Sequence, residues 1–159
     1  MIKSVTLLLF SVHNLSFGVY AEQVEELLED KVLREQNETD TDYTIPYKGR
    51  NIRVIHFSKW IEREQKLSPT FGPRILNHVP DHRECHDTHP PSPKILIIKH
   101  QNEGYIGVRI DTPEDLVTVS VNQIHSLPIM IQKTKRIQGL WGIALVNKRP
   151  VILIDLAQF

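Results

Sequence analysis

The chain has 159 residues, 40% of them apolar, with 19 Lys plus Arg against 19 Asp plus Glu. That is about one domain with enough apolar surface for a core, and a net charge of zero argues against nucleic acid as the main partner. A single cysteine, Cys85, excludes an intramolecular disulfide framework and fits a reducing, cytoplasmic setting, while no apolar run reaches the ~18 residues of a membrane span.

The first element is the apolar stretch Val5–Val12, followed by the polar turn His13-Asn14-Leu15-Ser16 and a second short run, Phe17–Tyr20. Lys3, the apolar stretch and Val19-Tyr20-Ala21 together resemble a secretion signal, but His13 and Asn14 interrupt the run near the minimum length for one. We read a β-hairpin instead. Residues 22–42 follow, with nine of the nineteen acids against only Lys31 and Arg34. Their Val24, Leu27, Leu28 and Val32 fit the period of an amphipathic helix, whereas the repeat described below favours a strand over 24–28. Tyr43–Tyr47, the turn Lys48-Gly49-Arg50-Asn51 and Ile52–Phe57 then read as strand, turn, strand.

Residues 62–94 change character. They hold six of the ten prolines, four of the eight histidines and the only cysteine, which predicts an irregular, exposed insert. Within it, His78, His82, Cys85, His86 and His89 are residue types that ligate zinc. Their spacing matches no zinc module, so no metal or other cofactor is assigned. The alternative function this loop would support is a metal- or redox-responsive sensor using residues 78–89.

Residues 95–117, ILIIKHQNEGYIGVRIDTPEDLV, repeat the pattern of residues 7–28, LLLFSVHNLSFGVYAEQVEELL. Aligned on Gly18 and Gly107, Phe17 faces Ile106, Val19 faces Val108, Glu22 faces Asp111, Glu25 faces Glu114, and Leu27 faces Leu116. Leu140–Val146, the turn Asn147-Lys148-Arg149 and Val151–Leu156 close the second copy as Tyr43–Phe57 closes the first. The chain is therefore expected to be all-β, a single domain made of subdomain one at about 5–61, an insert at about 62–94 and subdomain two at about 95–159. Short strands at this spacing point to a pair of small barrels.

Positive evidence for catalysis is lacking. There is no nucleophile elbow, no phosphate-cradling glycine loop and no paired-glycine nucleotide fingerprint, and Cys85 with its histidines stands in a Pro-flanked loop without a rigid scaffold. Asp111 and Glu114, with Glu22 and Glu25 as their counterparts, read as a repeated solvated edge rather than an acid–base pair. A basic cluster, Lys133, Lys135, Arg136, Lys148 and Arg149, has no acid among residues 132–150; it is either an ordinary solvated edge or a rim that steers an acidic partner. Trp141 beside it is either a core residue or an interface anchor.

Phe17-Gly-Val-Tyr20, Tyr105-Ile-Gly-Val-Arg-Ile-Asp111 and the closing Ile137–Leu156 stretch resemble the CheW-like family, the coupling proteins of bacterial chemosensory arrays. The resemblance runs over 5–61 and 95–159. It implies two small five-stranded Src-homology-3-like barrels around a shared apolar centre, and a non-catalytic cytoplasmic adaptor. The implied partners are the regulatory domain of a CheA-type histidine kinase and the signalling tip of a chemoreceptor. Contacts are expected at Val24, Lys48, Gly49, Arg50, Trp141, Lys148 and Arg149, with copy two dominant. Copy one departs from the family pattern: Tyr47-Lys48-Gly49 replaces an Asn-Leu-Arg-Gly turn, Arg53-Val54 replaces Pro-Val, His56-Phe57 replaces the Asp-Leu ending, and roughly a strand's worth of chain is missing before the turn.

Overall fold

The computed structural model describes residues 4–30, 42–67, 93–127 and 138–158. The N-terminal hairpin is β1 (Ser4–Val12) and β2 (Leu15–Tyr20), and its repeat is β6 (Lys94–His100) and β7 (Gly104–Ile110). The apolar stretch and Val19-Tyr20 of the segment resembling a secretion signal are thus paired strand. The ambiguous acidic segment opens as β3 (Val24–Glu29), paired antiparallel with β6 from Val24↔Ile98 to Glu29↔Lys94. Cross-strand pairing overrides the helical spacing of its leucines. The closing hairpins are β4 (Asp42–Tyr47) with β5 (Arg50–His56), and β10 (Leu140–Val146) with β11 (Arg149–Ile154); β8 (Thr112–Ser120) and the short β9 (Ile124–Ser126) complete the set.

Three of these hairpins close on two-residue loops, His13-Asn14, Lys48-Gly49 and Asn147-Lys148, in which both residues have positive φ. Such loops match the natural twist of paired strands. Lys48 and Lys148 are therefore carried at hairpin tips by the local backbone.

Six strands form one sheet in the order β8-β1-β2-β11-β10-β9, and five form the other in the order β3-β6-β7-β5-β4. The first hairpin of each copy lies in the sheet of the other copy. β2 pairs in parallel with β11 (Ile152↔Phe17, Leu153↔Gly18), and β7 pairs in parallel with β5 (Val54↔Gly107, Ile55↔Val108). The boundaries 5–61 and 95–159 thus divide the sequence but not the sheets. One sheet also has six strands where five were expected; β9 has no counterpart in the other sheet among the described residues.

The exchange follows from burial. Leu7 and Leu9 of β1 enter a cluster with Val119, Ala144, Val151 and Leu153. Ile95 and Ile97 of β6 enter the corresponding cluster with Ile45, Ile52 and Val54. The opposite faces of the same strands, Phe10 and Val12 or Leu96 and Ile98, meet in a third, shared core with Phe17, Val19, Ile106, Val108, Ile110 and Leu156. A strand that is apolar on both faces is stable only between two cores, hence the near-continuous apolar runs. The aligned glycines face the cluster of their own sheet. A Cβ on Gly18 would lie 3.1 Å from side-chain atoms of both Val151 and Leu153, and one on Gly107 would lie 2.8 Å from Val54 Cγ2 and 3.0 Å from Ile95 Cγ2.

The expected irregular insert begins differently. Helix α1 spans Phe57–Leu67, so the first copy ends in a helix that continues into the segment read as irregular. Phe57, Trp60 and Ile61 stand at i, i+3 and i+4 and pack on the shared core, a period overlooked in so short a stretch. Phe57 meets Phe10 and Phe17 edge-to-face, with ring centroids 5.5 and 5.0 Å apart, which ties the helix of one sheet to the first hairpin of the other.

Candidate functional site

The candidate contacts fall into two groups, one on each sheet. On the five-stranded sheet, the β4–β5 tip brings Lys48 to the start of β3, where its Nζ lies 2.9 Å from Glu25 Oε1. Lys99 on β6 reaches the other Glu25 oxygen, also at 2.9 Å. Hydrogen bonds from Lys99 and then Lys48 hold the Glu25 carboxyl below its ordinary pKa, and the Lys48 ammonium is correspondingly raised, first by Glu25. The Lys48 Nζ also sits 5.2 Å from the centroids of both the Tyr47 and Tyr105 rings, which meet edge-to-face. Tyr47 donates to Glu26 Oε2 at 2.9 Å. Gly49 has φ +76 with open space around it, Arg50 is exposed, and Val24 is half-buried against the shared core. The result is a patch of aromatic edges and balanced charge.

On the six-stranded sheet, Lys148 and Arg149 are exposed at the β10–β11 tip and have no ion-pair partner among the described residues. Trp141 is neither free nor fully interior. It is half-buried on β10, stacks on Tyr20 at 5.0 Å with planes 9° apart, and packs on the Leu7–Leu153 cluster. Its Nε1 is buried without a hydrogen-bond partner among the described residues. The closing pattern of copy two is explained by Gly139, whose φ of +81 and whose position 2.4 Å from the Asp155 carbonyl oxygen (measured to an added Cβ) leave no room for a side chain. Its own carbonyl accepts from Asp155 N at 2.8 Å. The Asp155 carboxylate accepts from Gln23 Nε2 at 2.7 Å, Ala157 N at 3.1 Å and Gln158 Nε2 at 2.9 Å, which pins the chain end across to the turn after β2.

His56 stands in the corresponding place of copy one, and the departure has a local compensation. Arg109 Nη1 donates to His56 Nε2, so the ring proton is on Nδ1 and is shared with Ser58 Oγ at 2.8 Å. Arg109 also donates from Nε to the buried Asp30 carboxylate at 2.7 Å, to which Tyr43 donates at 3.4 Å. Burial, then the charges of Arg109 and Lys59, push the His56 pKa down to about 4. Phe57 takes the buried place of Leu156.

Glu25, Lys99 and Tyr105 were not singled out from the sequence as site residues. From the sequence Glu25 reads as part of a solvated edge, and no spacing links it to Lys99. Asp111 accepts from the His13 backbone N–H at 3.2 Å, and Glu114 is exposed on β8. Among the described residues there is no cluster of three or more metal-ligating side chains. His78, His82, Cys85, His86 and His89, like Lys133, Lys135 and Arg136, lie outside the described residues. Among the described residues no helix is long and apolar enough to cross a membrane.

Comparison with known proteins adds a solved structure and a family. No curated protein matches the sequence. The fold is similar to that of the scaffolding protein TtCheW from Thermoanaerobacter tengcongensis, with a TM-score of 0.64 and 17% identity over 98% of this chain and 90% of that one. The description of the CheW-like domain matches residues 6–159, across both sheets and the exchange between them, and the chain belongs to the CheW-like domain family.

Proposed function

We propose that the protein is a non-catalytic adaptor of a bacterial chemosensory system, coupling a chemoreceptor to a CheA-type histidine kinase by protein–protein contacts in the cytoplasm. The observation that carries this reading is the family match over nearly the whole chain, and the two hairpin tips supply surfaces suited to such contacts. The tip of copy two is the stronger candidate for the kinase. Lys148 and Arg149 are exposed and not neutralised by a carboxylate among the described residues, whereas Lys48 is already matched by Glu25. Unpaired rim charges steer a partner of opposite sign and act mainly on the association rate.

The test is a side-by-side titration against the regulatory domain of a CheA-type kinase. Reversal of Lys148 and Arg149 to Glu should slow association more than the same reversal of Lys48 and Arg50. A larger loss from the Lys48 and Arg50 pair would make copy one the principal docking face. Absence of any binding by the unaltered protein would remove the adaptor reading.

A further inference from the structure

The β4–β5 hairpin reaches further than the ladder that supports it. β5 pairs in parallel with β7 at Val54, Ile55 and His56, whereas its antiparallel pairing with β4 continues out to Tyr47↔Arg50 at the tip. Residues 44–53 thus project past the β7 ladder as a two-stranded arm, and a lone hairpin is marginally stable in water.

Side chains hold this arm down. β3 and β4 lie at opposite ends of the five-stranded sheet, yet the sheet curls until they face each other. Lys48 meets Glu25 at 2.9 Å, Tyr47 meets Glu26 at 2.9 Å, and Tyr43 meets Asp30 at 3.4 Å. Each step back along β4 goes with a step forward along β3, so the two edges run antiparallel across a seam of polar side chains. Beneath the seam, Ile45, Tyr47 and Ile52 pack in one cluster with Ile95 and Ile97. Arg53 adds a tie to Glu103 at 3.5 Å. The Lys48 side chain is 53% exposed, and an ion pair so open to water is individually weak.

We propose that residues 44–53 form a flap, latched to β3 by Lys48–Glu25 and Tyr47–Glu26, that opens while the rest of the sheet stays paired. The hinge lies at Tyr43 and Val54, where Tyr43 is tied to Asp30 and Val54 joins the β7 ladder. Segments with little backbone support beyond their own pairing supply local openings of this kind. In the closed state β3 engages the polar ends of Lys48 and Tyr47, and opening releases both to a partner of copy one. That consequence rests on the adaptor reading, whereas the flap itself does not.

The test is amide hydrogen exchange of the full chain, followed by NMR without any partner. Tyr47→Phe with Lys48→Met keeps the ring and the apolar stem but removes both donors. After correction for intrinsic rates, protected amides in residues 44–53 should exchange about tenfold faster in this variant, and those of β6 and β7 less than about twofold faster. Lys94→Met breaks a pair with Glu29 at 3.3 Å on the same strand but outside the latch, and should leave the flap rates unchanged. In the unaltered protein the flap amides should also depend less steeply on urea than those of β6, because a local opening exposes less surface. The proposal is overturned by equal acceleration throughout the sheet, by no acceleration in the flap, or by a urea dependence as steep in the flap as in β6. None of these readings needs a kinase, so they stand or fall apart from the adaptor reading.

Discussion

His56 offers a direct test of the electrostatics that replaced the family's Asp in copy one. At neutral pH the ring is uncharged, accepts from Arg109 and is held down to a pKa of about 4 by burial and by the charges of Arg109 and Lys59, against the smaller opposing pull of Asp111 and Asp30. An unfolded histidine titrates near 6.5. Between these values the unfolded chain takes up a proton that the native ring refuses, so stability falls as pH drops through about 6.5, and the loss levels off below about 4. The full gap of about 2.5 pH units corresponds to about 3.4 kcal/mol at 1.36 kcal/mol per unit. The ring is only partly buried, and solvent screening reduces the expected effect to about 1–2 kcal/mol. His56→Gln retains an acceptor for Arg109 and a donor for Ser58 but cannot titrate. Urea unfolding of both proteins from pH 7.5 to 4 isolates the contribution, because the carboxylates shared by the two chains cancel in the difference. Relative to the unaltered protein, the variant should gain about 1–2 kcal/mol on acidification. Parallel stability curves across that window would refute the assignment of a neutral, Arg109-bound ring.

The glycines should rank by what their missing side chains would strike. Gly139→Ala meets a backbone carbonyl at a positive φ and is expected to be the most damaging. Gly107→Ala overpacks against Val54 and Ile95 and should cost about 1–3 kcal/mol, and Gly18→Ala, with looser 3.1 Å contacts, should cost less; denaturant titration of the three would expose a wrong order. Trp141→Ala removes the stack on Tyr20 and part of a cluster. Because the residue is only half-buried, a loss of about 2–3 kcal/mol is expected, below the usual range for a fully buried aromatic. Unchanged stability with weakened kinase binding would instead make Trp141 an interface anchor.

Much of the local structure was legible in the residues. The duplicated hairpins announced themselves through aligned Gly18 and Gly107, and the turn residues at 13–14, 48–49 and 147–148 marked where strands reverse, because turn chemistry and side-chain period act over a few neighbouring positions. The Ile137–Leu156 pattern was specific because Gly139 must admit the Asp155 backbone. Helix α1 is not legible in the residues because its apolar period covers only Phe57, Trp60 and Ile61. The identity of residues 24–29 stayed open because their spacing suits either period; pairing with β6 decided it.

Nothing in chain order shows that each first hairpin crosses into the other copy's sheet. That is dictated by the need of doubly apolar strands, Leu7–Val12 and Ile95–Ile98, to lie between two cores at once. The same holds for the charged groups. Glu25 meets Lys99, and Arg109 meets His56 and Asp30, because the exchange brings β6 and β7 against β3 and β5. Composition and periodicity determined that this chain makes paired strands with an apolar interior, whereas the long-range pairing of those strands decided which charges are matched, which are buried, and which remain exposed to a partner.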